Sequence, residues 1–361
     1  MPYPKNKEGS QFWDIVKAQH QKELPFVVYR KPNEDQLYFM GQHCDTLVQT
    51  TQYTEIGFVF APFKPGTPAV LLPPDIVAKT NFIAQNKTST TLPTQAAPVP
   101  RAKEKHLQLI AKGIDHIRSG GLTKVVLART ITQPFSGDVF LLFQRIASRY
   151  PSALCYLWYH PKVGLWLGAT PELLLKLNGH TFTTMSLAGT KNYMMGTLPS
   201  WGQKELQEQA LVTDYILERL KSEVTDVVAG SLESVRAGNL WHLQTILKGN
   251  LKSNKIEEVL AALHPTPAIC GVPKAAALHF ILEQEPYDRA FYAGFLGELN
   301  FPSTKGNKTA LYVNLRCLQL QNEEALLYVG GGITKDSIPE KEWEETVAKS
   351  KTLLQVLANP A

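Results

Sequence analysis

The feature that most constrains this chain is the order of chemistry in residues 310–357. Ala310-Leu-Tyr-Val-Asn-Leu-Arg-Cys-Leu alternates like a strand, with Tyr312, Asn314 and Arg316 on one face and Leu311, Val313, Leu315 and Cys317 on the other. A second short strand, Leu326-Leu-Tyr-Val, runs into Gly330-Gly331-Gly332. A helix follows. Ser337-Ile-Pro-Glu340 reads as its capping box, with Pro339 in the first turn. Trp343, Val347, Ser350, Leu354 and Leu357 make its buried stripe. At ~100° per residue, Glu345 lies about 200° from Trp343, and Glu342, Glu345 and Lys349 fall within about 60° of one another. Taken alone, that face reads as a solvated one with a Glu-to-Lys pair at i,i+4. The arginine and the glycines upstream turn the reading towards a pocket. They would bring together a guanidinium, a backbone without side chains, two carboxylates and an ammonium, a set suited to a small dicarboxylate held partly through a divalent metal. The glycine run is not a phosphate loop, because no Lys-Ser/Thr follows it.

The rest of the chain sets the class. Its 361 residues allow one large domain or two ordinary ones. Strands are dense, joined by short connections and interrupted by helices in groups, which reads as α+β and not as a regular βαβ alternation. Helices are expected near 10–22, from Leu107 to Gly120-Gly121, and over 203–222, 255–263 and 273–284. Residues 86–102 are rich in Ser, Thr and Pro and read as a surface loop. The net charge is 37 − 32 = +5 and is spread along the chain, so no nucleic-acid partner is expected. Cys44, Cys155, Cys270 and Cys317 form no C-x-x-C pair and read as reduced thiols of a cytoplasmic protein. No stretch reads as a membrane span or a signal peptide, and the histidines lack zinc spacing.

Several further residues carry candidate chemistry. Lys124 heads the strand Lys124-Val-Val-Leu-Ala-Arg-Thr-Ile and reads either as a solvated edge lysine or as one drawn into a pocket, where desolvation would let it act as a base. Glu172, in Gly168-Ala-Thr-Pro-Glu-Leu-Leu-Leu, reads either as a turn carboxylate or as a partly buried acid. Ser186-Leu-Ala-Gly-Thr190 is a turn of small residues that could offer backbone N–H groups to an anion. On the helix from 203, the apolar stripe is read as Leu206, Ala210, Thr213, Leu217 and Leu220, with Glu208 about 200° away.

Taken together, these segments resemble the chorismate-utilising enzymes. The resemblance covers roughly residues 101–358 and rests on Lys124-Val-Val-Leu-Ala-Arg, Gly168-Ala-Thr-Pro-Glu-Leu-Leu-Leu, Leu187-Ala-Gly-Thr, Lys204-Glu-Leu-Gln-Glu, His264-Pro-Thr-Pro-Ala-Ile-Cys-Gly, Glu285-Pro-Tyr-Asp-Arg, Leu315-Arg-Cys, the glycine run and Glu342-Trp-Glu-Glu-Thr. Residues 1–100 match only loosely. It implies an α+β fold of large, mostly antiparallel sheets packed together with helices outside, and one catalytic domain over residues 1–361. It points to isochorismate synthase: members that add water carry a lysine where Lys124 stands, and aminodeoxychorismate synthases typically carry one where Ala188 stands.

The resemblance makes Lys124 the general base and Glu172 the general acid. It gives Glu208 and Glu345, with Glu342 beside them, to Mg2+, an oxygen-seeking ion. Arg316, Gly330, Gly331 and Lys349 would hold substrate carboxylates, with Ala188, Gly189, Thr190, Ile269 and Tyr292 lining the substrate site. The implied partner is chorismate, without nucleic acid or membrane, and the oligomeric state is left open, a monomer included. Ser186 replaces a usual proline, Gln209 a common histidine, and the loop from Lys191 to Gly202 is short. The alternatives are salicylate synthase, which also eliminates pyruvate, and a non-catalytic chorismate-binding module.

Overall fold

A computed structural model describes residues 4–84, 100–193, 197–238, 240–253, 255–304 and 306–357. The first eighty-odd residues alternate short apolar runs with turns, and they form α1 (Gly9–Gln21) and seven strands: β1 (Lys5–Asn6), β2 (Phe26–Arg30), β3 (Gln36–Gly41), β4 (Val48–Thr50), β5 (Gly57–Ala61), β6 (Ala69–Leu72) and β7 (Ile76–Asn81). Next come α2 (Pro100–Arg118), β8 (Lys124–Pro134), α3 (Val139–Arg149), β9 (Leu154–His160), β10 (Gly164–Thr170), β11 (Leu173–Asn178), β12 (Thr181–Asn192) and α4 (Gln203–Leu220). The C-terminal part holds β13 (Val224–Ala229), β14 (Glu233–Ala237), β15 (Leu240–Leu251), α5 (Ile256–Leu263), β16 (Gly271–Val272), α6 (Lys274–Gln284), β17 (Phe295–Ser303), β18 (Gly306–Val313), β19 (Cys317–Gln321), β20 (Glu324–Ile333) and α7 (Pro339–Leu357).

Among the described residues the strands make two sheets. One runs β1-β7-β3-β2-β9-β10-β19-β20-β8-β16, the other β13-β15-β12-β11-β18-β17-β5-β6-β4, with β14 on β15. The β1–β7 pairing is parallel, whereas pairings such as β2–β9, β5–β17, β8–β20 and β12–β15 are antiparallel. The N-terminal strands therefore extend both sheets directly. The fold is α+β, as the sequence reading expected.

Alternation decides which side chains meet between the sheets. On β9, Tyr156 and Trp158 point inward, and Trp158 meets Phe60 of the facing sheet with ring centroids 4.9 Å apart. Cys155 and Leu157 point outward into a second cluster with Phe12 and Val16 of α1, Phe143 of α3 and Leu353 of α7. Helix α3 is absent from the sequence reading. Its cap is plain, since the Asp138 carboxylate accepts from the N–H groups of Phe140 and Leu141, a contact of the kind worth about 1 kcal/mol.

Four local expectations are corrected. The run 310–318 is not one strand. β18 ends at Val313 in one sheet and β19 begins at Cys317 in the other, and Arg316 between them has φ +47°. The glycine run is not a loop after a strand. Gly330, Gly331 and Gly332 lie within β20, opposite Ala128, Leu127 and Val126 of β8. On α4 the buried stripe is Gln209, Val212, Ile216 and Leu220, while Leu206 is exposed. Ser337 accepts from the Thr334 N–H through its hydroxyl instead of closing a capping box with Glu340. Of the expected loop 86–102, residues 86–99 lie outside the described residues, and 100–102 begin α2.

Candidate active site

The two sheets and helices α4 and α7 enclose an open-mouthed pocket with about 800 Å³ of free space, its mouth included. Its walls bring together Glu172, Ala188, Gly189, Thr190 and Glu208 from the middle of the chain. Ile269, Tyr292, Arg316, Gly330 and Gly331 come from later segments, and Glu345 and Lys349 from α7. Two expected site residues do not line it. Lys124 is 1% exposed and lies behind Glu208, its Nζ 2.8 Å from Glu208 Oε1. Glu342 is 2% exposed and lies at the outer end of α7's acidic face, paired with Lys204 of α4 at 2.7 Å.

Glu172 sits in the two-residue break between β10 and β11, where its backbone carbonyl accepts from the Val313 N–H at 2.9 Å. Its side chain is 4% exposed and forms no ion pair among the described residues. Burial pushes its carboxyl up to about 7, against the pull of Lys124, Lys349 and Arg316.

The other carboxylates are treated differently. Burial pushes Glu208 up, but Lys124, Lys349 and Lys204 together bring it below its ordinary value. Glu345 meets Lys349 at 2.7 Å, and the same ammonium donates to the Gly330 carbonyl at 3.0 Å. Glu342 is raised by burial and by Glu345 nearby, despite Lys204.

The glycines of β20 make room for these groups. A Cβ on Gly332 would stand 2.8 Å from Glu208 Oε1, and one on Gly330 would stand 3.0 Å from the Tyr292 hydroxyl. A Cβ on Gly331 would stand 3.7 Å from Glu345 Oε1 and 3.9 Å from Glu342 Oε2. Three carboxylates from two helices thus gather over one bare stretch of strand. As they stand, no three acidic, His or Cys side chains among the described residues are close enough together to hold a metal ion, and each of these carboxylates is paired with a lysine. The donor set itself is all carboxylate oxygen, which fits a hard divalent cation such as Mg2+.

On the opposite wall, Gly189 has φ +68° and sits where the β12–β15 register shifts between Ala188 and Lys191, so its backbone is out of the ladder. Its carbonyl is 2.9 Å from His242 Nδ1 on β15, and His242 Nε2 is 3.2 Å from Arg316 Nη2. A carbonyl only accepts and a guanidinium only donates, so the imidazole is neutral with its proton on Nδ1. Burial and the Arg316 charge hold it down to about 3, consistent with that state. Arg316 also donates to Thr352 Oγ1 at 3.0 Å. Sequence reasoning missed His242 and Thr352. A lone histidine on a strand carries no spacing signal, and only the fold brings it to the arginine.

The chain matches the family described as chorismate binding enzyme over residues 74–358. It belongs to that family. It is 30% identical over 318 residues to isochorismate synthase EntC of Escherichia coli (strain K12), covering 82% of this chain and 79% of that protein. Its fold is similar to that of DhbC from Bacillus anthracis, with a TM-score of 0.79 and 25% identity over 93% of this chain and 97% of the other. It is also similar to the menaquinone-specific isochorismate synthase MenF from Escherichia coli, with a TM-score of 0.74 and 21% identity over 92% and 88%. The second likeness bears on the fold alone. Within the chorismate-binding enzymes the chain stands close to the isochorismate synthases. No helix among the described residues is long and apolar enough to cross a membrane.

Proposed function

We propose that this protein is an isochorismate synthase, a Mg2+-dependent isomerase acting in the cytoplasm as one catalytic domain over residues 1–361. Water adds at C2 of chorismate, the ring double bonds shift, and the C4 hydroxyl leaves. A proton passes from the attacking water to Lys124 once its ammonium has released a proton to solvent and stands as the free amine, and another passes from Glu172 to the departing hydroxyl, so the product is an isomer of the substrate. Arg316 and Lys349 hold carboxylates, and the bare backbone at Gly189 and at Gly330-Gly331 lets the substrate lie close. Glu208 and Glu345, with Glu342 behind them, would hold Mg2+, which when bound supplies positive charge to a substrate carboxylate. Ala188 leaves the wall small, and Thr190, Ile269 and Tyr292 shape the rest. The product would feed menaquinone or catechol-siderophore synthesis.

The observation that carries this reading is Glu172: a buried carboxyl with no ion-pair partner among the described residues, raised to about 7, in a pocket that also holds Arg316 and Lys349. An acid poised near neutrality beside two fixed cations suits protonation of a leaving group on an anionic substrate. The test is to incubate pure protein with chorismate and Mg2+, with and without ammonia, and identify the product. Isochorismate alone is expected. Salicylate with pyruvate, an aminated product when ammonia is present, or no turnover would each overturn the assignment.

A further inference from the structure

Arg316 is the only arginine among the described residues of the pocket wall, and the backbone beneath it is strained. A non-glycine residue at φ +47° costs of order 1 kcal/mol or more unless its surroundings over-determine it. Those surroundings are specific. Asn314, 0% exposed, has every polar group engaged: its N–H donates to Gly294 O at 2.8 Å, its carbonyl accepts from Ala293 N at 2.9 Å, its Nδ2 donates to Phe291 O at 2.9 Å, and its Oδ1 accepts from the Tyr156 hydroxyl at 2.6 Å. Thr170 Oγ1 donates to Val313 O at 2.5 Å, and the Ala169 N–H donates to Arg316 O at 3.0 Å. Tyr156 itself is fully buried, with its ring over Gly168, its cross-strand partner. A Cβ on Gly168 would meet Tyr156 Cε1 at 2.8 Å and Cys317 Cβ at 3.0 Å.

These contacts all lie where the chain leaves one sheet for the other. Sheet geometry alone would carry Asn314-Leu-Arg onward as a strand and point Arg316 along the ladder. Instead the knot of Tyr156, Asn314 and Thr170 stops the strand at Val313 and turns the chain through a left-handed residue. Arg316 then faces His242, Thr352 and the pocket. Neither Tyr156 nor Asn314 lines the pocket, but Asn314 adjoins the lining residue Leu315 and its bonds to Phe291 and Ala293 flank Tyr292, so the route through Arg316 has to be separated from these by a double-mutant cycle.

We propose that Tyr156 and Asn314 are positioning residues for Arg316: the Tyr156–Asn314 hydrogen bond fixes the strained crossover that aims the guanidinium at a substrate carboxylate. This rests on the reading of the pocket as a chorismate site. The test is a double-mutant cycle on the KM for chorismate, with Tyr156→Phe made both in the wild-type chain and in an Arg316→Ala background. Tyr156→Phe removes one hydroxyl and keeps the ring over Gly168, so it is expected to fold, and melting temperature is recorded for all four proteins. Asn314→Leu serves as a second, more severe variant. The expected result is a rise in KM of about 5–10-fold for Tyr156→Phe alone, matching the loss of a buried hydrogen bond, with kcat nearly unchanged. In the Arg316→Ala background the same change should raise KM less than about 2-fold. The drop in melting temperature from Tyr156→Phe should be the same in both backgrounds. An equal KM effect with and without the arginine would show a merely structural role and overturn the proposal, as would an unchanged KM in Tyr156→Phe. A wild-type protein that neither binds nor converts chorismate would overturn the parent reading and this one with it, whereas normal wild-type turnover with additive mutants overturns this one alone.

Discussion

Two walls of one pocket use the same residue type in opposite ways. On the β10–β11 side, Glu172 is buried without a cationic partner and its carboxyl rises to about 7. On the α4–α7 side, Glu208, Glu345 and Glu342 each meet a lysine within 2.8 Å. A glutamate whose desolvation outweighs the pull of the cations near it keeps its proton near neutrality and can give it away. Glu208 is the clear contrast, because the ammonium groups around it hold its carboxyl below the ordinary value and favour the anion, whereas Glu342 is raised by burial and by Glu345 despite Lys204. On the proposed reading, what would separate an acid from a metal ligand is the neighbour and not the residue.

The largest expected effect lies on the lysine-paired wall. Glu345→Ala should abolish Mg2+-dependent turnover, because it removes one carboxylate of the set and leaves Lys349 without its partner. Turnover that persists in the variant, or in wild type treated with a chelator, would break the contrast by taking the metal out of that wall.

Next in size are the proton carriers. Glu172→Gln and Lys124→Ala should each lose turnover by ~10²–10⁴-fold, the usual magnitude of a general acid or base. Near-normal rates in either would falsify its role. Lys124 is the harder case. Its amine lies behind Glu208 and does not line the pocket. A substrate water must therefore reach an amine that Glu208 now covers, so Glu208→Gln should change the lysine's accessibility to amine-modifying reagents even without substrate.

How much of this was legible depends on whether the signal was periodic. Most strand and helix positions followed from alternation and from the 3.6-residue repeat, α3 excepted, but off-stripe placement alone read Glu208 and Glu345 as solvated, and it was the family resemblance that marked the site carboxylates. What failed were places where one sequence pattern serves two structures. Tyr312, Asn314 and Arg316 alternate as a strand would, yet the chain changes sheets among them, because Tyr156 and Thr170 compete for Asn314 and for the Val313 carbonyl. No local pattern encodes a partner 158 residues away. On α4, polar Gln209 lies on the buried stripe, where Ser186 and Thr245 accept from its amide nitrogen while its amide oxygen has no partner among the described residues, so polarity misplaced the stripe. The strands β13–β15 went unread, and His242 with them.

A smaller effect should appear in the pH profile. A general acid must be protonated, and Glu172 is held at about 7. The kcat/KM of wild type should therefore fall as pH rises above about 7, approaching tenfold per unit. Residual activity of Glu172→Gln should lack that limb. A wild-type profile flat from pH 6 to pH 9 would remove the acid from the left-hand side of the comparison.

The smallest effect is on stability, and there the two walls predict opposite signs. Glu172 has a folded-state pKa raised from 4.5 to about 7, so the folded protein binds the proton more tightly than the unfolded chain does. Its contribution to stability is fully present below pH 4.5 and is lost as pH rises through 7. At pH 8 the folded state carries a penalty of roughly 3–4 kcal/mol at ~1.4 kcal/mol per unit, which glutamine, having no charge, does not incur. Glu208 is lowered in the folded state, so its contribution is present above its ordinary value and is lost only in acid. At pH 8 its replacement by glutamine removes that contribution and leaves the buried Lys124 ammonium uncompensated. Melting curves in chelator, from pH 5 to pH 8, read both. Relative to wild type, Glu172→Gln should gain melting temperature as pH rises, while Glu208→Gln should stay below wild type, most clearly at pH 8. If both variants move in the same direction across that range, the walls are not electrostatically distinct, and the division of labour between acid and metal ligand loses its physical basis.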